Sequence, residues 1–199
     1  MKVVFATTNL GKVKEAQEVL KEFGIEVLPL ERGKLPPPEE SGETFCENAY
    51  QKAVYYSKKL GLPVIAEDSG LEVEALGGRP GVYSSRFAGE GATDEENNRK
   101  LIEELEKLGL TESPARYASF VFLAFPEGMG LWSEGEVRGR VITTPRGSGG
   151  FGYDPLFVPE GFDKTMAELP LSQKNQISHR GEAFRKLAKL IKEVKSWKS

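Results

Sequence analysis

A chain of 199 residues, 39% of them apolar, is long enough to bury one large core or two lobes and too varied to be disordered. Its formal net charge of −3 offers no general attraction to nucleic acid or to an anionic membrane, and no apolar run approaches the ~20 residues of a membrane span. The single cysteine, Cys46, rules out an intrachain disulfide or a cysteine metal cage, and the chain enters a strand-like run at once, so a cytoplasmic protein without a signal peptide is expected.

The first apolar run, Met1 to Ala6, reads as a buried strand. A small polar turn, Thr7-Thr8-Asn9-Leu10-Gly11-Lys12, leads into a helix from about Gly11 to Phe23, with Val13, Ala16, Val19, Leu20 and Phe23 on one face. IEVLPL is a short second strand. The following ERGKLPPPEESGE is a stiffened loop, because three consecutive prolines forbid helix and central strand. A second helix ends at Gly61, and LPVIAEDSGLEVEALGG reads as strand, acidic turn, strand. A third helix opens with Thr93 and Glu96 in capping-box spacing and stops at Gly109. Two or three antiparallel strands follow, with a turn near Glu127 to Gly130, then a glycine-rich loop around a short strand, and a final amphipathic helix from about Ser178 to Trp197. Strand–helix alternation followed by a meander indicates an α/β protein with a mixed sheet.

Five stretches carry candidate chemistry. The turn at Thr7–Lys12 has short donors, free helix N–H groups and a lysine, which together favour an anion without the P-loop spacing; by itself it reads more simply as a capped helix with a solvated lysine. Glu67 and Asp68 follow an apolar run, where α/β sheets place ligands, and Asp68 could ligate Mg²⁺ or take a proton from water; a turn aspartate bonding its own backbone is the other reading. Glu39 and Glu40 are solvated loop acids or part of the same oxygen-rich metal site. GSGGFG at 147–152 is followed by YDPLFVP and not by a helix, so it is not a dinucleotide motif; Phe151 or Tyr153 is available to stack on a base, the other reading being a flexible hairpin loop with core aromatics. The single histidine, His179, lies beside Arg180 and near Lys174 at a helix start, a cationic group suited to a purine carbonyl or a phosphate.

TTNLGK, EESG with ENAYQKA, EDSGL, LGGRPGVYSSRFAG, GGFGYDP and SHRGEAF, in that order along almost the whole chain, resemble the inosine triphosphate pyrophosphatase family, the XTP/dITP diphosphatases. The family commonly has DDSG where this chain has EDSG, which leaves Asp68 at the matching catalytic position. It often has T-G-N where this chain has Thr7-Thr8-Asn9.

The resemblance implies a long mixed sheet flanked by helices, a single domain over residues 1–199 made of two lobes with a deep nucleotide-binding cleft, and a homodimer. It implies Mg²⁺-dependent hydrolysis of ITP, dITP and XTP to the monophosphate and pyrophosphate. Thr7, Thr8, Asn9, Leu10, Gly11 and Lys12 would hold the phosphates, Lys52 with Lys12 would offset their charge, and Ser69 would bind the substrate. Glu39 or Glu40 with Asp68 would hold the metal, and Asp68 would activate water. Phe151 would stack on the base, Gly152 and Tyr153 would bind the substrate, and Asp154, Lys174, His179 and Arg180 would read the edge of the base. Maf-like pyrophosphatases and a non-catalytic nucleotide sensor are the competing readings; a nucleotide panel with product analysis separates the first, and Mg²⁺-dependent pyrophosphate release the second.

Overall fold

The computed structural model describes residues 1–31 and 33–197. Arg32, within the proline-rich loop expected from the sequence, lies outside the described residues. Six strands, β1 (Lys2–Phe5), β2 (Glu26–Pro29), β3 (Val64–Val73), β4 (Glu112–Ala124), β5 (Gly130–Ile142) and β6 (Phe157–Pro159), form one sheet in the order β2-β1-β3-β4-β5-β6. β1 pairs parallel with β2 and β3, and β6 pairs antiparallel with β5, so the sheet is mixed, as expected. β2 lies at an edge and ends in Pro29, where a missing N–H costs no ladder bond.

Among the described residues five α-helices accompany the sheet: α1 (Leu10–Lys21), α2 (Phe45–Leu60), α3 (Asp94–Lys107), α4 (Leu171–Ile177) and α5 (His179–Trp197). Their ends follow local chemistry. Asn9 caps α1, Thr44 caps α2, and Thr93 with Glu96 closes the anticipated capping box of α3. α2 stops at Gly61, whose φ of 64° is the left-handed conformation that glycine adopts without a Cβ penalty. α4 is not evident from the sequence: its apolar content is small, and Pro170 ahead of it reads as a loop residue until it is seen at the helix N-cap.

The chain divides into two compact units. One comprises Met1–Asp68, Ser119–Gly135 and His179–Ser199; the other comprises Ser69–Ala118 and Glu136–Ser178. In the first unit, strand residues alternate between two apolar clusters. Val3, Phe5, Ile65, Val121 and Leu123 join Val13, Ala16 and Leu20 of α1 and Phe184 and Leu187 of α5. Val4, Ala6, Val64, Ala66 and Ala124 join Ala53 and Tyr56 of α2. Helices on both faces explain why β1 and the start of β3 are apolar without alternation. In the second unit Leu71, Val73, Ala115, Tyr117 and Val141 pack with Leu101 and Leu105 of α3 and with Leu156, Phe157 and Met166.

One local expectation is corrected. EDSG is not a turn: β3 continues through it for ten residues, from Val64 to Val73. Two adjacent acids after an apolar run look like a chain leaving the core, but here each carboxylate meets its own buried partner, so the strand stays in the sheet.

Candidate active site

Side chains of successive strand residues point to opposite faces. Ile65 belongs to the cluster under α1 and α5, and Val64 and Ala66 to the cluster under α2, so Glu67 is directed to the former and Asp68 to the latter. The contacts agree. Glu67 Oε2 accepts from Arg180 Nε at 2.8 Å and lies 3.7 Å from Lys12 Nζ. Asp68 Oδ2 accepts from Asn48 Nδ2 of α2 at 3.0 Å.

Asp68 is a carboxylate under stress. Burial pushes its pKa up to about 6, against the downward pull of Lys52, the Asn48 hydrogen bond and Lys12. Lys52, one turn beyond Asn48 on α2, forms an ion pair with Glu40 Oε1 at 2.9 Å and donates to the main-chain carbonyl of Glu67 at 3.0 Å. Burial alone would lower its pKa, but Glu40 and Asp68 outweigh burial and hold it above the ordinary value. Lys12 is different: burial is the larger effect and lowers its pKa, with Arg180 and Lys52 adding to the depression and Glu67 and Asp68 opposing it. Glu39 is exposed on the loop before α2.

The turn before α1 forms a helix cap, one of the two readings of the sequence. Asn9 Oδ1 accepts from the N–H groups of Gly11 at 3.0 Å and Lys12 at 3.3 Å, and Thr7 Oγ1 accepts from Asn9 N at 3.1 Å. Thr8, Asn9 and Leu10 are exposed, and Thr7, Gly11 and Lys12 are half-buried. The turn therefore offers polar side chains to solvent immediately beside a partly buried lysine.

In the second unit, Asp154 is the centre of the predicted base-reading group. Its Oδ2 pairs with Lys174 Nζ at 2.6 Å and accepts from Phe151 N at 3.1 Å, while its Oδ1 accepts from Tyr117 OH at 3.3 Å. Lys174 Nζ lies 4.4 Å from the centroid of the Phe151 ring, a cation–π contact. Tyr153 faces away from this group: its hydroxyl donates to Ser84 O at 2.6 Å, and burial raises its pKa. Ser69, half-buried, is the first residue of this unit.

Residues 3–190 match the sequence model of the Ham1 family. The chain belongs to the Ham1 family. It is 49% identical to a dITP/XTP pyrophosphatase of Desulfotalea psychrophila over 98% of this chain and 87% of that protein. It is 50% identical to a dITP/XTP pyrophosphatase of Thermus thermophilus over 97% of this chain and 93% of the relative. A HAM1 protein from Coxiella burnetii, 39% identical, superposes with a TM-score of 0.86 over 97% of this chain and 99% of its own. The resemblance read from the ordered sequence stretches is borne out.

His179 and Arg180 lie in the first unit, apart in the chain's division from Lys174 and Asp154. Arg180 is buried, and its guanidinium donates Nε to Glu67 and Nη1 to Glu15. Burial alone would lower its pKa, but the two carboxylates hold it well above the ordinary value. His179 is buried, and a side chain on Gly135 would run into its carbonyl. Glu15 escaped the sequence reading, although a signal exists: it lies on α1 between the buried Val13, Ala16 and Val19, where a glutamate needs a cation. Asn48 and Tyr117 were also missed, because a single polar residue in an apolar element has no motif of its own.

The acids suit a hard cation. Asp68 and Glu40 are oxygen donors, both tied to Lys52 electrostatically, and burial leaves the Asp68 carboxylate short of positive charge. Among the described residues no three carboxylate, histidine or cysteine side chains gather closely enough to form a protein-only metal cage. Mg²⁺ keeps waters and takes phosphate oxygens beside one or two carboxylates, so it requires no such cage.

Proposed function

We propose that this chain is a pyrophosphohydrolase of non-standard purine nucleoside triphosphates, acting on dITP, XTP and ITP with Mg²⁺ to release the monophosphate and pyrophosphate. Family membership and near-full-length relatives named dITP/XTP pyrophosphatase support the enzyme class. The single structural observation that carries the reading is the buried Asp68, with a pKa near 6, beside Lys52 and within electrostatic reach of Lys12.

A carboxylate with that pKa is deprotonated at neutral pH and still basic enough to take a proton, the balance a general base needs. Asn48 fixes one carboxylate oxygen, so the other is available to accept a proton from the attacking water. Attack at the α-phosphorus breaks the bond to the bridging oxygen, and the charge that develops on the leaving pyrophosphate falls to Lys12 and Lys52. Glu40 with Asp68, or Glu39 in its place, would hold Mg²⁺, which when bound polarises the phosphates and neutralises their charge. Thr7 to Lys12 receive the phosphate chain at the start of α1. Phe151 stacks on the base. Lys174, poised between Asp154 and the Phe151 ring, donates to the 6-keto oxygen of hypoxanthine or xanthine. Adenine presents an amino donor there, so ATP would leave the ammonium facing another donor.

The test is product analysis across dITP, XTP, ITP, dGTP, dATP and ATP with and without Mg²⁺. Stoichiometric pyrophosphate and monophosphate from the keto-purine substrates, lost with chelator, is expected; release of orthophosphate alone, or equal turnover of ATP, would sink the reading. None of the described helices is long and apolar enough to cross a membrane. The enzyme is further proposed to work as a cytoplasmic homodimer, which light scattering coupled to gel filtration checks for oligomeric state.

A further inference from the structure

The glycine-rich segment Gly147–Gly152 is fastened to α3 at one residue. Asp94, the first residue of α3, accepts at Oδ2 from Gly152 N at 2.8 Å. Asn98, one helical turn later, donates Nδ2 to Gly152 O at 3.1 Å. The i, i+4 spacing puts both side chains on one face of α3. They grip the two peptide groups that flank the Gly152 α-carbon. On the other side of Phe151, its own N–H donates to Asp154 Oδ2 at 3.1 Å. The peptide before Phe151 is thus held by Asp154, and the peptide after it by Asp94 at its N–H and by Asp154 N at its carbonyl.

These holds matter because the segment is rich in glycine. Gly152 adopts φ 61° and Gly150 φ 68°, conformations to which a glycine-rich chain has many alternatives. Phe151 O also accepts from Asp154 N at 3.2 Å, and three more fastenings lie away from Phe151: Gly149 N donates to Ala167 O at 3.0 Å, Arg146 N to Pro155 O at 2.9 Å, and Thr165 Oγ1 to Arg146 O at 2.7 Å. Nor is the Asp94 side chain occupied in starting its helix. Thr93 Oγ1 accepts from Glu96 N at 3.2 Å and Glu96 Oε2 accepts from Thr93 N at 3.3 Å, which completes the cap, and Glu95 and Glu96 supply first-turn acidity.

We propose that Asp94 and Asn98 are positioning residues for base recognition, holding the Phe151 ring in the orientation on which the purine stacks. This rests on the reading of Phe151 as the stacking residue. The two side chains act through the Gly152 peptides and touch no substrate. Their effect is preorganisation: if releasing the loop reduces the competent orientation to a fraction of the population, apparent affinity falls by that fraction. The pyrophosphate product carries no base, so its binding is untouched.

The experiment is steady-state kinetics on XTP, with inorganic pyrophosphate as product inhibitor, for Asp94→Ala, Asp94→Asn, Asn98→Ala and the control Glu95→Ala. Asp94→Ala and Asn98→Ala should each raise KM about 3- to 10-fold with kcat within about twofold and the pyrophosphate inhibition constant unchanged. Asp94→Asn keeps an oxygen acceptor for Gly152 N and should return KM to within about twofold of the parent, while Glu95→Ala, which removes the neighbouring helix charge, should match it. If Asp94→Ala does not fold, Asn98→Ala carries the test. An unchanged KM in the alanine variants, a loss in kcat alone, or an Asp94→Asn as impaired as Asp94→Ala overturns the proposal. Phe151→Ala, run alongside, separates the two readings. If it leaves KM for XTP unchanged, the stacking role itself fails; if it raises KM while the α3 variants do not, only the positioning role fails.

Discussion

Arg180 Nε donates to Glu67 Oε2 at 2.8 Å across 113 positions of sequence, and its Nη1 donates to Glu15. One guanidinium therefore ties the start of α5 to both α1 and β3. With Lys12 at 3.7 Å from Glu67, the buried group holds two carboxylates and two cations and is neutral as a whole. Glu67 in turn presents its carbonyl to Lys52 at 3.0 Å, so this group supports both lysines assigned to the phosphates.

Arg180→Ala removes the cation from two buried carboxylates. A loss of about 3–5 kcal/mol in unfolding free energy is expected, because the uncompensated charges and not the lost attraction set the cost. Urea denaturation measures it. A variant of parental stability whose preference for dITP over dATP falls about 10-fold would instead make Arg180 a reader of the base.

Asp68→Asn separates activity from stability. Turnover should fall about 100-fold or more, since the amide cannot take a proton. Stability, measured in chelator, should rise at neutral pH. The folded pKa of about 6 lies above the ordinary value of 3.8, so between these values the native state binds more protons than the unfolded chain, and wild-type stability declines as pH rises through that window. The variant lacks this decline. The advantage of Asp68→Asn, of order 1–3 kcal/mol, should therefore be present above pH about 6 and vanish near pH 4. An equal advantage at every pH would show that it does not arise from the buried charge.

Lys12→Ala should raise KM for XTP about 10-fold or more and weaken product inhibition by pyrophosphate, as one charge-assisted phosphate contact of about 1.5–3 kcal/mol disappears. Kinetics that stay at the parental level would confine Lys12 to its structural pairing with Glu67.

Gly150→Ala tests the base-reading group from its backbone. The added Cβ would collide with Asp154 Oδ2, the atom that pairs with Lys174, at a φ of 68° that disfavours any side chain. A raised KM for XTP and dITP is expected together with a modest loss of thermal stability, of order 1–2 kcal/mol. A KM at the parental value would mean that the Asp154–Lys174 pair does not set affinity.

Much of the fold was legible along the chain. The Thr93–Glu96 box marks a helix start and Gly61 a stop, because capping is a matter of neighbouring residues and needs no distant partner. Apolar runs without alternation announced strands covered on both faces, and the clusters around Phe5 and Ala66 bear this out. The family, too, was legible, as an ordered series of short stretches. Sequence alone could not say that EDSG stays within a strand. That depends on Arg180 and Asn48 being present to receive carboxylates sent to opposite faces, and burial of a charge is decided by partners far away in the chain. For the same reason Glu15, a glutamate in an apolar stripe, acquired a meaning only when the fold brought α5 against α1, and Asp94 and Asn98 only when the glycine-rich segment came to rest on α3. Local propensity writes caps and strands into the sequence; the pairing of buried charges and the grip on a flexible loop exist only once tertiary packing has removed water and brought the partners within hydrogen-bond range.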